Sequence, residues 1–217
     1  MLISLALSTL LSSSTAAAAG DNAACHCYRE RTYDPLRPDA ADGYIVATAR
    51  SSLLSAAFGP SKRELVQAVM TGTSPDDLFV AHWAAAQLHR DAGTLLETRS
   101  AKGSWKAALA GASGLDARFG EALARGASDG DLAAAAIDET LAARLHVDRS
   151  ALAAVRAGGA ATGDVLLAGI LAARLRTTPA TVLAPIRAGK ATWGSALNAL
   201  GLAPHDLDGV VRELAAR

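Results

Sequence analysis

An all-α fold is what this sequence predicts, and three observations point to it. The apolar content is 51%, largely alanine, and only 4% of residues are aromatic; alanine is the best helix former. Helix start and stop signals recur from residue 43 onward, while no stretch alternates with period two over the length of a strand. Similar segments also recur along the chain, which is typical of helical repeats. We therefore expect an array or orthogonal bundle of short helices.

Residues 1–19 are predicted to be a signal peptide. An apolar run from Leu2 to Leu11 is followed by small residues that end at Ala19, the pattern of a hydrophobic core and a cleavage site. The run is shorter than the roughly 20 apolar residues that a bilayer-spanning helix needs. Because no Lys or Arg precedes it, a disordered leader on a cytosolic protein is the alternative. We expect an exported protein, periplasmic or secreted, with no transmembrane helix in the mature chain.

Residues 20–42 are predicted to be irregular, and residues 43–217 to form a helical repeat domain. Pro35 and Pro38 interrupt any regular helix in the first of these segments, because proline lacks the N–H that a helix needs. The first helix is expected from Tyr44 to Phe58, since glycine and proline follow it directly.

Three segments of the helical domain resemble one another. The letters LAARLHVDRSALAAVRAG at 141–158 align with LAARLRTTPATVLAPIRAG at 171–189, and a third copy lies at 84–105. Short amphipathic helices have too little apolar surface to be stable alone, so neighbouring units stack. We predict about three repeat units and a C-terminal helix, at residues 75–115, 129–160, 162–202 and 205–216.

Cys25-His26-Cys27 is the sharpest chemical cluster in the sequence. Two thiolates and an imidazole could ligate a soft metal such as Cu(I) or Zn²⁺, but the chain has only these two cysteines and no second pair to complete a tetrahedral site. In an oxidising compartment, a strained disulfide between Cys25 and Cys27 or an intermolecular bridge is the other interpretation. No other cofactor is predicted. His82 and His89 are seven residues apart on one predicted helix and should share a face of it. The two histidines could contribute to a metal site, or they could simply lie at the solvent edge of the helix.

Three arginines and two tryptophans recur at matching points of the repeat and form a candidate binding surface: Arg99, Arg156, Arg187, Trp105 and Trp193. If the units stack, the guanidiniums could bind carboxylate or phosphate groups, and the indoles could stack on a ligand. The alternative is local. An arginine in the last turn of a helix complements the helix dipole, and a tryptophan at a helix start fills the junction with the preceding helix.

The charge balance argues against a nucleic-acid partner. Basic and acidic residues number 21 each, whereas binding DNA or RNA requires a surplus of Lys and Arg. Residues 179–214 imitate a helix-turn-helix, but the second helix would begin with Asp206 and Asp208, whose carboxylates would face phosphates. The sequence also lacks a Ser-His-Asp signature and a glycine-rich phosphate loop. We expect no enzymatic activity.

The segment CHCYRERTYDPLRPDAADGYIVATARSSLLSAAFG at residues 25–59, followed by units with a Gly-Ser/Thr-Trp-type turn, resembles a family of uncharacterised exported bacterial proteins. The resemblance covers most of the mature chain. It implies an envelope or secreted location and an all-helical fold, and it transfers no catalytic residue.

Three functions are compatible with these patterns. The leading hypothesis is a non-catalytic interaction or structural protein of the cell envelope or the secreted fraction, whose helical array presents a surface to an unknown protein partner. The second is a metal-binding or thiol-redox protein that uses Cys25, His26 and Cys27. The third is a small-molecule carrier with a cavity between stacked units.

Overall fold

The computed structural model describes residues 28–217, and over this range the protein is all-helical, as predicted. The α-helices are α1 (Asp42–Phe58), α2 (Lys62–Met70), α3 (Pro75–Leu88), α4 (Ala92–Lys102), α5 (Trp105–Ala108), α6 (Ala117–Arg125), α7 (Asp129–Leu145), α8 (Arg149–Ala157), α9 (Thr162–Leu175), α10 (Pro179–Arg187), α11 (Trp193–Ala199) and α12 (Leu207–Ala215). A 3₁₀ helix at Pro204–Asp206 precedes α12. None of these helices combines the length and the hydrophobicity that crossing a bilayer requires.

Side-chain caps set where many of the helices begin. The Ser61 hydroxyl accepts a hydrogen bond from the Glu64 N–H at the start of α2, while the Glu64 carboxylate accepts one from the Ser61 N–H. Ser74 accepts from the N–H of Asp76 at the start of α3, where Pro75 is the first helical residue. These side chains satisfy N–H groups that have no partner within the helix.

The four long helices all end in the same way. A residue in the left-handed conformation follows α1, α3, α7 and α9, namely Gly59, His89, His146 and Arg176. This conformation turns the chain sharply and returns an N–H to one of the last helical carbonyls. Because α3 ends at Leu88, His89 lies outside the helix, and the expectation that it shares a helical face with His82 is wrong.

The order and the spacing of the helices repeat across two halves of the chain. The first four helices begin at Asp42, Lys62, Pro75 and Ala92, and α7 to α10 begin at Asp129, Arg149, Thr162 and Pro179, each 87 residues later. The short helices α5 and α11 begin 88 residues apart, at Trp105 and Trp193. We call α1–α6 the first half and α7–α12 the second half.

The predicted division into three units is not confirmed, because each half contains two long–short helix pairs and only the second pair is followed by a tryptophan helix. The pair that sequence comparison missed is α1–α2. It shares the opening Asp42-Gly43 with Asp129-Gly130 of α7, but few other letters. Small apolar residues replace one another readily in a core, so equivalent helices can lose their sequence similarity.

The hydrophobic core is one continuous cluster to which both halves contribute. Helix α3 of the first half packs on α7 of the second, and α9 of the second half packs on α1 of the first. Equivalent side chains on α3 and α9, Phe79 and Leu166, are both fully buried. The two halves therefore share one core.

Each half also caps the tryptophan helix of the other half. The Asp42 carboxylate at the start of α1 accepts hydrogen bonds from the N–H groups of Trp193 (3.1 Å) and Gly194 (2.8 Å). Asp129, the equivalent residue of α7, accepts one from the N–H of Trp105 (3.3 Å). These reciprocal bonds join the start of each half to the later part of its partner.

Residues 28–41, which we call the strap, run irregularly over the second half before α1 begins. The Thr192 hydroxyl donates a hydrogen bond to the carbonyl oxygen of Pro38 (2.6 Å). A Cβ atom added at Gly194 would lie only 3.0 Å from that same oxygen and 3.0 Å from the ring of Tyr33. The strap thus fits against α11 only because residue 194 is glycine.

Candidate functional site

A polar cleft of about 610 Å³ opens between the halves, beside the first turns of α3, α7 and α9. Five charged side chains and several small residues line this cleft: Arg50, Asp76, Asp131, Asp138 and Arg156, with Ser128, Gly130, Ala134, Ala135, Ala160, Ala161 and Thr162. Its volume falls within the range of about 300–1,000 Å³ that is usual for small-molecule sites.

Arg50 and Asp76 form the first-half wall of the polar cleft. The Arg50 guanidinium donates to the Asp76 carboxylate at 2.8 Å. The Arg50 side chain is only 7% exposed, whereas that of Asp76 is 37% exposed. The Arg50 guanidinium is therefore shielded from the cleft, and the Asp76 carboxylate is the more solvent-exposed group of the pair.

Arg156 and Asp138 form the second-half wall. Two nitrogens of Arg156 donate to the two carboxylate oxygens of Asp138. Arg156 also donates to the Thr162 hydroxyl and to the Ala134 carbonyl. Burial raises the pKa of the Asp138 carboxyl, although the bonds from Arg156 act in the opposite direction. Four of the five N–H groups of this guanidinium are thus engaged within the protein.

The remaining polar edge comes from the starts of α7 and α9. Ser128 caps α7 by accepting from the N–H of Asp131, and its hydroxyl donates to the Asp131 carboxylate at 2.7 Å. Asp131 is exposed. Helix α9 begins at Thr162, and the preceding residue, Ala161, provides no side-chain cap, whereas Ser74 caps the equivalent helix α3.

The charges of the polar cleft have no charged counterparts at the equivalent place in the other half. At a spacing of 87 residues, the positions that correspond to Arg50, Asp76, Asp138 and Arg156 hold Ile137, Gly163, Ser51 and Val69. There the strap supplies an aromatic lining instead. The ring of Tyr28 lies directly against Gly43, the counterpart of Gly130, and packs edge-on against Tyr44. Two equivalent places have thus acquired different chemistry.

The structure gives the three arginines of the predicted binding surface three different environments. Arg99 donates to Asp129 at 2.8 Å, and its Nε lies 3.1 Å from Asp77 without hydrogen-bond geometry. Arg187 donates to the carbonyl oxygen of Gly158. Among the three, Arg156 alone lines the polar cleft. Each side chain has an internal partner that accounts for its position, and a ligand-binding role for Arg99 and Arg187 stays a prediction.

Trp105 and Trp193 are both buried, and each makes the same bond. The indole N–H donates at 2.8 Å to Asp77 in the first half and to Asp164 in the second. The rings fill the junctions between helices, in keeping with the packing interpretation, and they present almost no area to a ligand.

The Cys25-His26-Cys27 cluster lies outside the described residues, so its metal and disulfide interpretations stay predictions. Among residues 28–217, no group of three His, Cys, Asp or Glu side chains is arranged to hold a metal ion. His82 is a half-buried residue of α3, and burial lowers its pKa.

Sequence reasoning found Arg156 but missed the other charged residues of the polar cleft. Arg50 and Asp76 are 26 residues apart, and Asp138 and Arg156 are 18 apart, so no local motif marks either pair. One signal was available: Arg50 is the one charged residue of α1 after Asp42, and the corresponding position in α7 is the apolar Ile137.

Comparison of the chain with protein-family models, curated proteins and solved structures found no significant match to any of the three.

Proposed function

We propose that this protein is an exported, non-catalytic binding protein and that the polar cleft is its ligand-binding site. One observation carries the proposal: of two equivalent places in a duplicated fold, one is an open cleft lined by five charged side chains, and the other has uncharged residues at the five corresponding positions. There the strap covers the surface, with the Arg31 guanidinium over the Tyr44 ring. The helices follow the same order and spacing in both halves, so charges at one place alone call for a separate reason.

The composition of the polar cleft supports binding rather than turnover. Four of its five charged side chains form two ion pairs that hold one another in place. Catalysis would require a nucleophile or an acid–base pair aimed at a reacting atom. The hydroxyls that line the cleft belong to Ser128, which caps α7, and Thr162, which accepts from Arg156. Both hydroxyls serve the scaffold.

A blocking variant tests the site. Ala161→Leu adds bulk at the cleft, at a position whose side chain makes no capping bond. Ala180→Leu on α10 is the matched control, because Ala180 is equally exposed and does not line the cleft. Native mass spectrometry and thermal shift against a small-molecule library should give a ligand that binds the wild type and the control but not Ala161→Leu. A ligand that binds all three proteins equally would contradict the assignment of the site.

The proposed export is supported by the leader pattern at residues 1–19. Mass spectrometry of cell fractions should find a mature chain that begins at or near Gly20, outside the cytoplasm. An intact Met1 in the cytoplasm would refute export and leave the cleft proposal standing.

The second candidate function is metal binding or thiol redox chemistry at Cys25, His26 and Cys27. It rests on the three adjacent ligand-type side chains. Metal analysis and a free-thiol count on the purified exported protein test it directly. Stoichiometric metal that is lost on changing both cysteines to Ser would support it, and two inert free thiols without metal would exclude it.

A further inference from the structure

We propose that another cavity, where α7 and α9 end beside α12, binds a medium-chain carboxylic acid, that is, an unbranched alkyl chain with one carboxylate. The inference goes beyond the proposed function and does not depend on it, because the polar cleft lies at the starts of α7 and α9. It follows from the apolar lining of this cavity, from one arginine at its rim, and from the residues at the equivalent place in the first half.

The cavity, which we call the apolar pocket, has a volume of about 410 Å³. Apolar residues make up most of its lining, among them Leu145, Val147, Ala151, Ala172, Pro179 and Leu214. Leu145, Val147 and Leu214 belong to the hydrophobic core cluster, so the pocket extends down to the core. The volume lies near the lower end of the range of about 300–1,000 Å³ that is usual for small-molecule sites. An alkyl chain that enters this pocket gains free energy by leaving water.

Arg176 supplies a positive charge at the rim of the apolar pocket. Its exposed guanidinium makes no hydrogen bond or ion pair with any residue in the range 28–217. Arg217, the other arginine of the lining, donates to Glu213 at 2.6 Å. A guanidinium fork matches the two oxygens of a carboxylate. Arg176 can therefore bind a carboxylate without giving up a partner within that range.

Asp148, the acidic residue of the lining, is already engaged in the scaffold. Its carboxylate caps α8 by accepting hydrogen bonds from the N–H groups of Ser150 and Ala151 and from the Ser150 hydroxyl. The carboxylate also lies at the positive end of the α8 dipole, which offsets its charge. With His146 neutral, two arginines and one aspartate give the lining a formal charge of +1. The lining thus favours an anionic head group over a cationic one.

The first half has larger side chains and no arginine at the corresponding positions. At a spacing of 87 residues, the positions that correspond to Leu145, Ala151 and Arg176 hold Phe58, Glu64 and His89. Phenylalanine and glutamate are larger than leucine and alanine, so the second half has more space at this place. The helix end does not require an arginine, because His89 follows α3 in the same left-handed conformation in which Arg176 follows α9. The space and the positive charge thus occur together in the second half.

Isothermal titration calorimetry with sodium octanoate, on the purified protein, tests the inference. We expect saturable binding, with an affinity that rises by about threefold to fourfold for each methylene between hexanoate and octanoate. Octanamide, which keeps the chain but has no charge, should bind about threefold to fivefold more weakly than octanoate. Octylamine, which carries the opposite charge, should bind more weakly than octanamide. No saturable binding of octanoate, or equal affinity for octanoate and octylamine, would overturn the inference.

Removal of a single charge tests the role of Arg176. Arg176→Gln should weaken octanoate binding by about threefold to fivefold, the effect of one exposed ion pair, and should leave the affinity for octanamide unchanged. The control is Arg90→Gln, which removes an exposed arginine just after α3, outside the apolar pocket, and should change neither affinity. An equal loss of octanoate binding in the two variants would mean general attraction to basic residues and would refute the site.

Filling the apolar pocket tests where the alkyl chain binds. Ala151→Leu adds bulk to the lining, and Ala153→Leu is the matched control, because Ala153 is an exposed residue of the same helix outside the pocket. Octanoate should bind the control as it binds the wild type, and Ala151→Leu at least about fivefold more weakly. Ala161→Leu in the polar cleft should leave octanoate binding unchanged. Loss of octanoate binding in Ala161→Leu but not in Ala151→Leu would assign octanoate to the polar cleft and overturn the inference.

Discussion

In the first half of the chain aromatic rings fill the core, whereas in the second half aliphatic side chains fill the equivalent places. Trp83 and Phe119 lie 4.4 Å apart between ring centres, and Phe58 packs edge-on against Phe79. The residues at 87-residue spacing from Phe58, Phe79 and Trp83 are Leu145, Leu166 and Ile170. The helix ends and the reciprocal caps are nevertheless the same. The backbone turns and the hydrogen bonds of the two tryptophans have stayed alike in the two halves, while the volume of individual core side chains has diverged.

The comparison predicts the largest loss of stability for changes at the two tryptophans, Trp105 and Trp193. Trp105→Ala and Trp193→Ala should each destabilise the protein by about 3–5 kcal/mol, because each removes a buried ring and leaves a carboxylate without its indole donor. Denaturant unfolding measures both. A large cost at one position and almost none at the other would show that the two sites are not energetically equivalent.

The next largest loss of stability is expected at Gly194, a glycine of the second half against which the strap packs. Gly194→Ala places a methyl group 3.0 Å from the Pro38 oxygen and the Tyr33 ring and should cost about 1–3 kcal/mol by displacing the strap. Trypsin should then cut faster at Arg29 and Arg31. The control is Gly209→Ala on α12, where a Cβ meets no atom within 4 Å; it should stabilise by about 0.5 kcal/mol through helix propensity. Stabilisation by both changes would mean that the strap is not held at Gly194.

The sequence predicted the elements of this fold better than their arrangement. Helix signals depend on neighbouring residues, so the start of α3 at Ser74-Pro75 and the stop at Gly59 could be predicted from the letters. The bond from Asp42 to Trp193 spans 151 residues, and no local pattern encodes it. The polar cleft likewise could not be predicted from local patterns, because its five charged residues come from four helices, α1, α3, α7 and α8.

A cap exchange tests whether α3 and α9 are equivalent. Ala161→Ser restores the hydroxyl that Ser74 supplies in the first half and should stabilise by about 1 kcal/mol, while Ser74→Ala should cost about as much. Thermal unfolding measures the two changes. If Ala161→Ser gives no gain, the start of α9 differs from that of α3 in more than the missing hydroxyl.

The pH dependence of stability should differ in sign between two capping acids. Burial raises the pKa of Asp42, against the effect of the Gly194 and Trp193 N–H groups, so the folded state holds this proton more tightly than the unfolded state does. The contribution of Asp42 to stability is therefore greatest at low pH and falls as the pH rises through the usual aspartate pKa to the raised value.

Asp91, which caps α4, behaves in the opposite way. Hydrogen bonds from Thr94 lower its pKa, so its contribution is present above the usual aspartate pKa and is lost as the pH falls through the lowered value. The difference in unfolding free energy between wild type and Asp42→Asn should thus decrease with rising pH, and that for Asp91→Asn should increase. Slopes of the same sign would contradict the burial of Asp42.

The smallest effect is expected at the cysteines. Changing both Cys25 and Cys27 to Ser should alter the stability of the helical domain by less than about 1 kcal/mol, because a bridge between residues two apart closes a very small loop. Circular dichroism and denaturant unfolding measure this. Loss of the helical signal would show that the two halves depend on the segment that precedes the strap.

The reciprocal caps also determine when during synthesis the fold can be completed, because each cap joins residues that are far apart in the chain. Asp42 is made early, but its partners Trp193 and Gly194 follow 151 and 152 residues later. At about 5–20 residues per second, a ribosome needs roughly 8–30 s to make that stretch. Throughout this interval α1 lacks α9, α11 and α12, the helices that cover it in the finished protein. The packing around α1 therefore stays incomplete until α12 has been made.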